Sequence, residues 1–205
     1  MRLYMGLLHY PVYNKNHERI ASALTTLDIH DLSRLARTYG VKRFYVVTPL
    51  TDQQGLALKL LRHWTTGYGA RYNPCRKEAL ELATVVASLE ESVKDITSLE
   101  GEKPLLIATD ASELRTRCLS YSKAMRILGT NRVAILVFGT AWGLDREVID
   151  HADYQLEPIK GVKDYNHLSV RAAAAIILDR VVGRGPFKGS GLIGSDKTEP
   201  SIPGL

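Results

Sequence analysis

Short apolar runs alternate along the chain with longer stretches in which apolar positions recur at helical spacing. The runs fit strands buried on both faces, and the longer stretches fit amphipathic helices. RLYMGLLHY (2–10), KRFYVVTP (42–49), KPLLIATD (103–110) and RVAILVFG (132–139) predict strands, with another inside 79–88 and a short one at YQLEPI (154–159). DIHDLSRLARTYG (28–40) puts Ile29, Leu32, Leu35 and Ala36 on one helical face and ends in a glycine suited to a C-cap. TDQQGLALKLLRHWTTG (51–67) predicts a helix with Thr51 as N-cap and Gly67 at its end. LEESVKDITSLEG (89–101), YSKAMRILG (121–129) and REVIDHA (146–152) predict shorter helices, and the alanine-rich HLSVRAAAAIILDRVVG (167–183) a long one. Strand alternating with helix predicts an α/β domain, a mostly parallel sheet with helices on both faces.

The 205 residues suit a single domain, expected over 1–183. The remainder, 184–205, is rich in Gly, Pro and Ser and reads as a poorly ordered tail. No apolar stretch approaches the roughly 20 residues of a membrane span, and the N-terminus has no signal-peptide pattern, so a cytoplasmic protein is expected. Cys75 and Cys118 share no metal-like or CxxC spacing and read as reduced thiols. Charge changes the picture more. Residues 1–80 carry 12 Lys/Arg against 5 Asp/Glu, whereas 81–102 carry 1 against 6. A basic first part fits a polyanionic partner such as RNA, although a solvated surface would read the same.

Parallel sheets take ligands beyond the carboxyl ends of their strands. Three such ends crowd the second half: IATDASELRT, VFGTAWGLD and LEPIKGVKDYNHLS. There is no G-x-G-x-x-G after the first strand, no Walker sequence, no H-E-x-x-H, no G-x-S-x-G and no Cys/His ligand set. Dinucleotide, triphosphate, zinc-hydrolase and metal readings lose their support. Gly139 and Gly143, four apart at a buried strand's end, imply a close approach to the backbone. Asn166, His167 and Ser169 stand where the long helix opens, where free N–H groups can bind polar groups; capping by Asn166 or Asp164 is the simpler reading.

The order of these elements resembles the SPOUT (SpoU–TrmD) class of S-adenosylmethionine-dependent RNA methyltransferases. The resemblance rests on LVFGTAWGLDREVIDHADYQLEPIKGVKDYNHLSVRAAAAIIL (136–178) and LDIHDLSRLARTYGVKRFYVV (27–47), where Arg34 stands five residues before Tyr39-Gly40. It covers roughly 2–183. It implies a C-terminal trefoil knot that holds S-adenosyl-L-methionine, with Thr109, Phe138, Gly139, Thr140, Gly143, Leu156, Ile159 and Leu168 around the cofactor. It implies an RNA partner, transfer or ribosomal, and a homodimer whose subunits complete each other's RNA site. Arg34 would hold an RNA phosphate or orient the target, Asp164 or His167 would take the proton, and Ser169 would orient cofactor or target. The class usually carries a Glu in the glycine turn and Asn and Gly where this chain has Asp28 and His30. A non-catalytic S-adenosylmethionine- or RNA-binding module of the same fold is the alternative.

Overall fold

The computed structural model describes residues 1–111, 117–163 and 165–183. The expected tail, 184–205, and Asp164 lie outside them. The strands are β1 (Arg2–Leu8), β2 (Val12–Tyr13), β3 (Arg19–Ile20), β4 (Phe44–Val47), β5 (Ala83–Val86), β6 (Leu105–Ala108), β7 (Cys118–Leu119), β8 (Val133–Gly139) and β9 (Tyr154–Leu156). The helices are α1 (Thr26–Thr38), α2 (Thr51–Thr65), α3 (Tyr68–Tyr72), α4 (Pro74–Leu80), α5 (Leu89–Glu100), α6 (Tyr121–Gly129), α7 (Arg146–His151) and α8 (Val170–Val182).

Seven strands form one sheet in the order β5-β4-β1-β8-β6-β9-β7, and every pairing in it is parallel. β1 sits centrally because it is apolar on both faces. Leu3, Met5 and Leu7 join one core with Ile29 and Leu32 of α1, Leu128 of α6 and Leu178 of α8. Tyr4 and Leu8 join the other with Ile96 of α5 and Val148 of α7. β8 alternates in the same way, with Ala134, Leu136 and Phe138 on the first side and Val133, Ile135 and Val137 on the second. This period-two split of an unbroken apolar run puts helices on both faces, as expected. β1 leads outward through β4 to β5, and the chain then crosses to the other side of β1, where β8 lies between β1 and β6. The strand order reverses there, which places the ligand crevice of such a sheet at the carboxyl ends of β1, β8 and β6.

Several local expectations need correction. Thr51 is the first residue of α2 rather than its cap; Leu50 holds the cap position, with no side-chain bond. The long helix starts only at Val170, because Ser169 caps it by accepting from the Ala172 N–H at 3.2 Å. Asn166 is therefore free for another partner. Strand β9 stops at Leu156, before Pro158. Among the described residues no helix is long and apolar enough to cross a membrane.

Candidate active site at the carboxyl ends of the strands

The loops after β6, β8 and β9 converge. β6 ends its pairing at Ala108↔Val137, so β8 outruns it by two residues, to Gly139. Thr109 turns the first loop by giving both its N–H (3.0 Å) and its hydroxyl (2.9 Å) to the Val137 carbonyl. Asp110 then faces the second loop: a Cβ built on Gly143 would lie 3.5 Å from its Oδ2. The third loop reaches the first where the Asn166 amide donates to the Ala111 carbonyl at 3.5 Å.

The close approach implied by the glycine pair proves to be the chain's own. A Cβ on Gly139 would sit 2.5 Å from the Leu144 nitrogen and 2.7 Å from the Gly143 carbonyl carbon. The turn of 140–143 folds back over Gly139, closed by the Gly143 N–H on the Thr140 carbonyl at 3.0 Å. Gly143 is glycine for a different reason, its φ of +99°. Gly139 thus makes room for the turn itself.

The long connection from β1 to α1 braces this turn. The Tyr13 N–H donates to the Gly143 carbonyl (3.1 Å), the Trp142 N–H to the Tyr13 carbonyl (3.0 Å) and the Asp145 N–H to the Pro11 carbonyl (3.1 Å). The β2–β3 hairpin adds Arg19, whose Nε and Nη2 donate to the two Asp145 carboxylate oxygens at 2.8 and 3.0 Å. Beneath the turn lies a partly buried polar chain. His9 Nδ1 meets the Ser22 hydroxyl at 3.0 Å, which meets the Thr140 hydroxyl at 2.5 Å, which donates to the Leu8 carbonyl at 3.0 Å. His9 is fully buried and its Nε2 has no partner among the described residues. Burial holds its pKa below the ordinary histidine value, against the opposing pull of the Asp28 carboxylate.

The expected cofactor residues divide by what their side chains do. Phe138 and Leu156 are buried in the core, which leaves only their backbone for a ligand. The hydroxyls of Thr109 and Thr140 hold the loops in shape. Ile159 is half-buried against the core, and Leu168 is 48% exposed on the third loop. With Trp142 and Tyr165, also exposed, Leu168 gives this end of the sheet apolar surfaces beside loop backbone. That combination fits a nucleoside held by main-chain groups between apolar walls.

The expected catalytic residues are less concentrated. His167 is exposed and packs edge-on against Tyr165, ring centroids 5.3 Å apart. The Ser169 hydroxyl is committed to the cap of α8. Arg34 is exposed on α1, six residues beyond Asp28, which meets Arg171 of α8 at 3.6 Å. Six residues of helix span about 9 Å, so Arg34 stands well along α1 from that junction. Its side chain has no ion-pair or hydrogen-bond partner among the described residues. Ser22 was missed, since its partners Thr140 and His9 are brought to it only by the fold. A cleft of about 420 Å³ beside Lys123, Arg126 and Tyr154 opens at the other, amino end of the strands, away from these loops.

Comparison with known proteins identifies the family. Residues 2–183 match the model of a family described as SAM-dependent RNA methyltransferase. A tRNA (guanine-N(1)-)-methyltransferase of Oleidesulfovibrio alaskensis is 45% identical over 181 residues, which are 88% of this chain but 42% of that protein. The chain therefore spans less than half the length of such curated relatives. An uncharacterized protein of Aquifex aeolicus is 37% identical over 182 residues, 89% of each chain. Among solved structures, a putative methylase family protein from Neisseria gonorrhoeae superposes with a TM-score of 0.60 at 17% identity, over 97% of this chain and 88% of that one. SpoU-class methyltransferases share the same fold. From the match over residues 2–183, the chain belongs to the family of S-adenosylmethionine-dependent RNA methyltransferases.

Proposed function

We propose that this chain transfers a methyl group from S-adenosylmethionine to RNA, with the cofactor held among the loops after β6, β8 and β9. The observation that carries the reading is the convergence of three loops of backbone and small residues at the strand-order reversal, in a chain of this family. The cofactor, when bound, supplies an activated methyl on a sulfonium, so the protein has to position a nucleophile and remove its proton. Backbone groups of 138–140, 143 and 156–159 would hold the nucleoside. Trp142, Tyr165 and Leu168 would shield it from water. His167, exposed on the third loop, is the candidate to take the proton, with Asp164 beside it in sequence. Arg34 would grip an RNA phosphate through its planar fork.

A single knotted unit over 1–183 and a homodimer belong to the same reading. For the knot, the support is that the segment entering α8 lies against the loop after β6. For the dimer, it is that Arg34 stands apart from the loops of its own chain, so a second copy would bring it to the site. Transfer RNA is the first substrate to assay, given the name of the Oleidesulfovibrio alaskensis relative. Because the chain matches 42% of that protein, the guanine N1 target is itself a question for the assay. The test is incubation with labelled cofactor and with transfer or ribosomal RNA from a strain lacking the protein, followed by nucleoside analysis. Label in one nucleoside supports the reading. Cofactor binding without label in any RNA would favour the non-catalytic module, in keeping with a glycine turn that has no carboxylate between Gly139 and Leu144.

A further inference from the structure

The segment between β4 and β5 folds into α2, α3 and α4, which pack on one another and on α1. Its stretch RHWTTGYGARYNPCRK (62–77) holds Arg62, Arg71, Arg76 and Lys77 and no acidic residue. Trp64 is its anchor. His30 of α1 and His63 meet the indole edge-on at 5.3 and 5.1 Å, and the Arg76 guanidinium lies 4.8 Å over it. Gly69 lets α3 sit directly on this ring: a Cβ there would come 2.6 Å from Trp64 Cε3.

With that side of α3 pinned, its tyrosines are turned out. Tyr68 and Tyr72 are 66% and 74% exposed, and their rings lie nearly parallel, centroids 6.1 Å apart and planes 18° off. Two large rings left in water contribute little to the core, so the fold alone gives no reason for them. Most of the nearby cations also lack a carboxylate partner, Arg76 being held by its stack on Trp64. Among the described residues no carboxylate pairs with Arg34, Arg62, Arg71 or Arg76, whereas Arg37 and Lys77 nearby are paired with Glu78 and Glu81. Arg34 follows His30 by one turn of α1, so the patch runs on toward it from the His30–Trp64 contact.

We propose that Tyr68 and Tyr72, with Arg71 and Arg76 beside them, form a stacking platform for unpaired nucleotides of the RNA substrate, leading to Arg34. Open aromatic faces match base planes, and guanidinium groups without carboxylate partners match phosphates. The nucleotides are unpaired ones, because bases inside an RNA duplex hide their faces. This inference rests on the reading of the chain as an RNA methyltransferase.

The test measures binding of a single-stranded RNA oligomer and of transfer RNA to the whole chain by fluorescence anisotropy, beside methylation kinetics. Tyr68→Ala/Tyr72→Ala should bind about 5- to 150-fold more weakly. It should raise KM for RNA rather than lower kcat, with S-adenosylmethionine affinity and thermal unfolding as in the wild type. Tyr68→Phe/Tyr72→Phe should restore binding, because stacking needs the ring and not the hydroxyl. Arg71→Ala should reduce the salt dependence of binding by about 0.7 in log–log slope. If the wild-type chain neither binds nor methylates RNA, the methyltransferase reading itself fails. If it methylates RNA and the alanine pair leaves affinity and KM unchanged, the platform is refuted. An alanine pair that turns a dimer into a monomer with unchanged RNA affinity would assign the face to a second copy of the chain and also overturn the proposal.

Discussion

Gly139→Ala is the sharpest probe of the turn. The added methyl would stand 2.5 Å from the Leu144 nitrogen and 2.7 Å from the Gly143 carbonyl carbon, and both are backbone atoms. No rotamer relieves the overlap, so 143–144 must move by about 1 Å to reach ordinary contact, which is overpacking of a closed site. That shift strains the bonds that hold the turn: Tyr13 to Gly143, Trp142 to Tyr13 and the Gly143–Thr140 closure. Overpacking of this kind costs about 1–3 kcal/mol. In a domain of this size that is a fall in Tm of about 2–12 °C, readable by calorimetry. Because the turn belongs to the proposed cofactor site, affinity for S-adenosylmethionine should fall as well. Leu144→Ala in the same chain should not rescue either loss, since the nearest obstacle is the main chain. A Gly139→Ala protein with wild-type Tm and cofactor affinity would refute the argument.

Asp145 is held below the ordinary carboxyl pKa: burial pushes it up, but hydrogen bonds from Arg19 and the Glu147 N–H more than offset this. Its contribution to stability is thus present above the unfolded pKa and lost as pH falls through the folded one. Asp145→Asn should cost about 1–2 kcal/mol near neutrality, discounted for the half-exposed Arg19, and less in acid, by denaturant unfolding at several pH values. His9 has the opposite charge chemistry and the same pH direction. Its folded pKa lies below its ordinary 6.5, so the unfolded chain takes up the proton more readily, and stability is full above that value and lost as pH falls. His9→Gln should flatten the stability profile below the ordinary histidine pKa in part only, because His30 is lowered too. Arg34→Ala should leave S-adenosylmethionine affinity intact and cut RNA turnover about 30- to 1000-fold, and Arg34→Lys should rescue poorly if the planar fork matters; wild-type turnover in Arg34→Ala at limiting RNA would make it a surface charge.

The elements legible in the sequence are those with a period of their own. β1, β8, α1 and α8 each repeat a local pattern that the core then confirms. The β2–β3 hairpin was not legible, because its strands are two residues long and its fixing partners, Gly143 and Asp145, are more than 120 residues away. Helices α3 and α4 were hidden by Gly67, Gly69, Asn73 and Pro74, which read as punctuation. The glycine pair marked a close approach for a reason only half foreseen, since composition shows that something approaches but not that the chain itself does. Ser169 took the capping role expected of Asn166 or Asp164 because the helix begins at Val170, about one turn after the expected start at 167.

The placement of β8 between β1 and β6 has a consequence for synthesis. β1 is completed at Leu8, but its partner along one whole edge, from Arg2↔Val133 to Leu8↔Gly139, is made about 130 residues later. At ribosomal rates of about 5–20 residues per second, that edge waits roughly 7–26 s for its neighbour. During this time β1, β4 and β5 can assemble as a nascent half-sheet whose open edge presents unpaired N–H and C=O groups beside mostly apolar side chains, an inviting template for any other strand. Chaperone capture of the emerging chain should therefore peak before β8 leaves the exit tunnel and decline once it has docked.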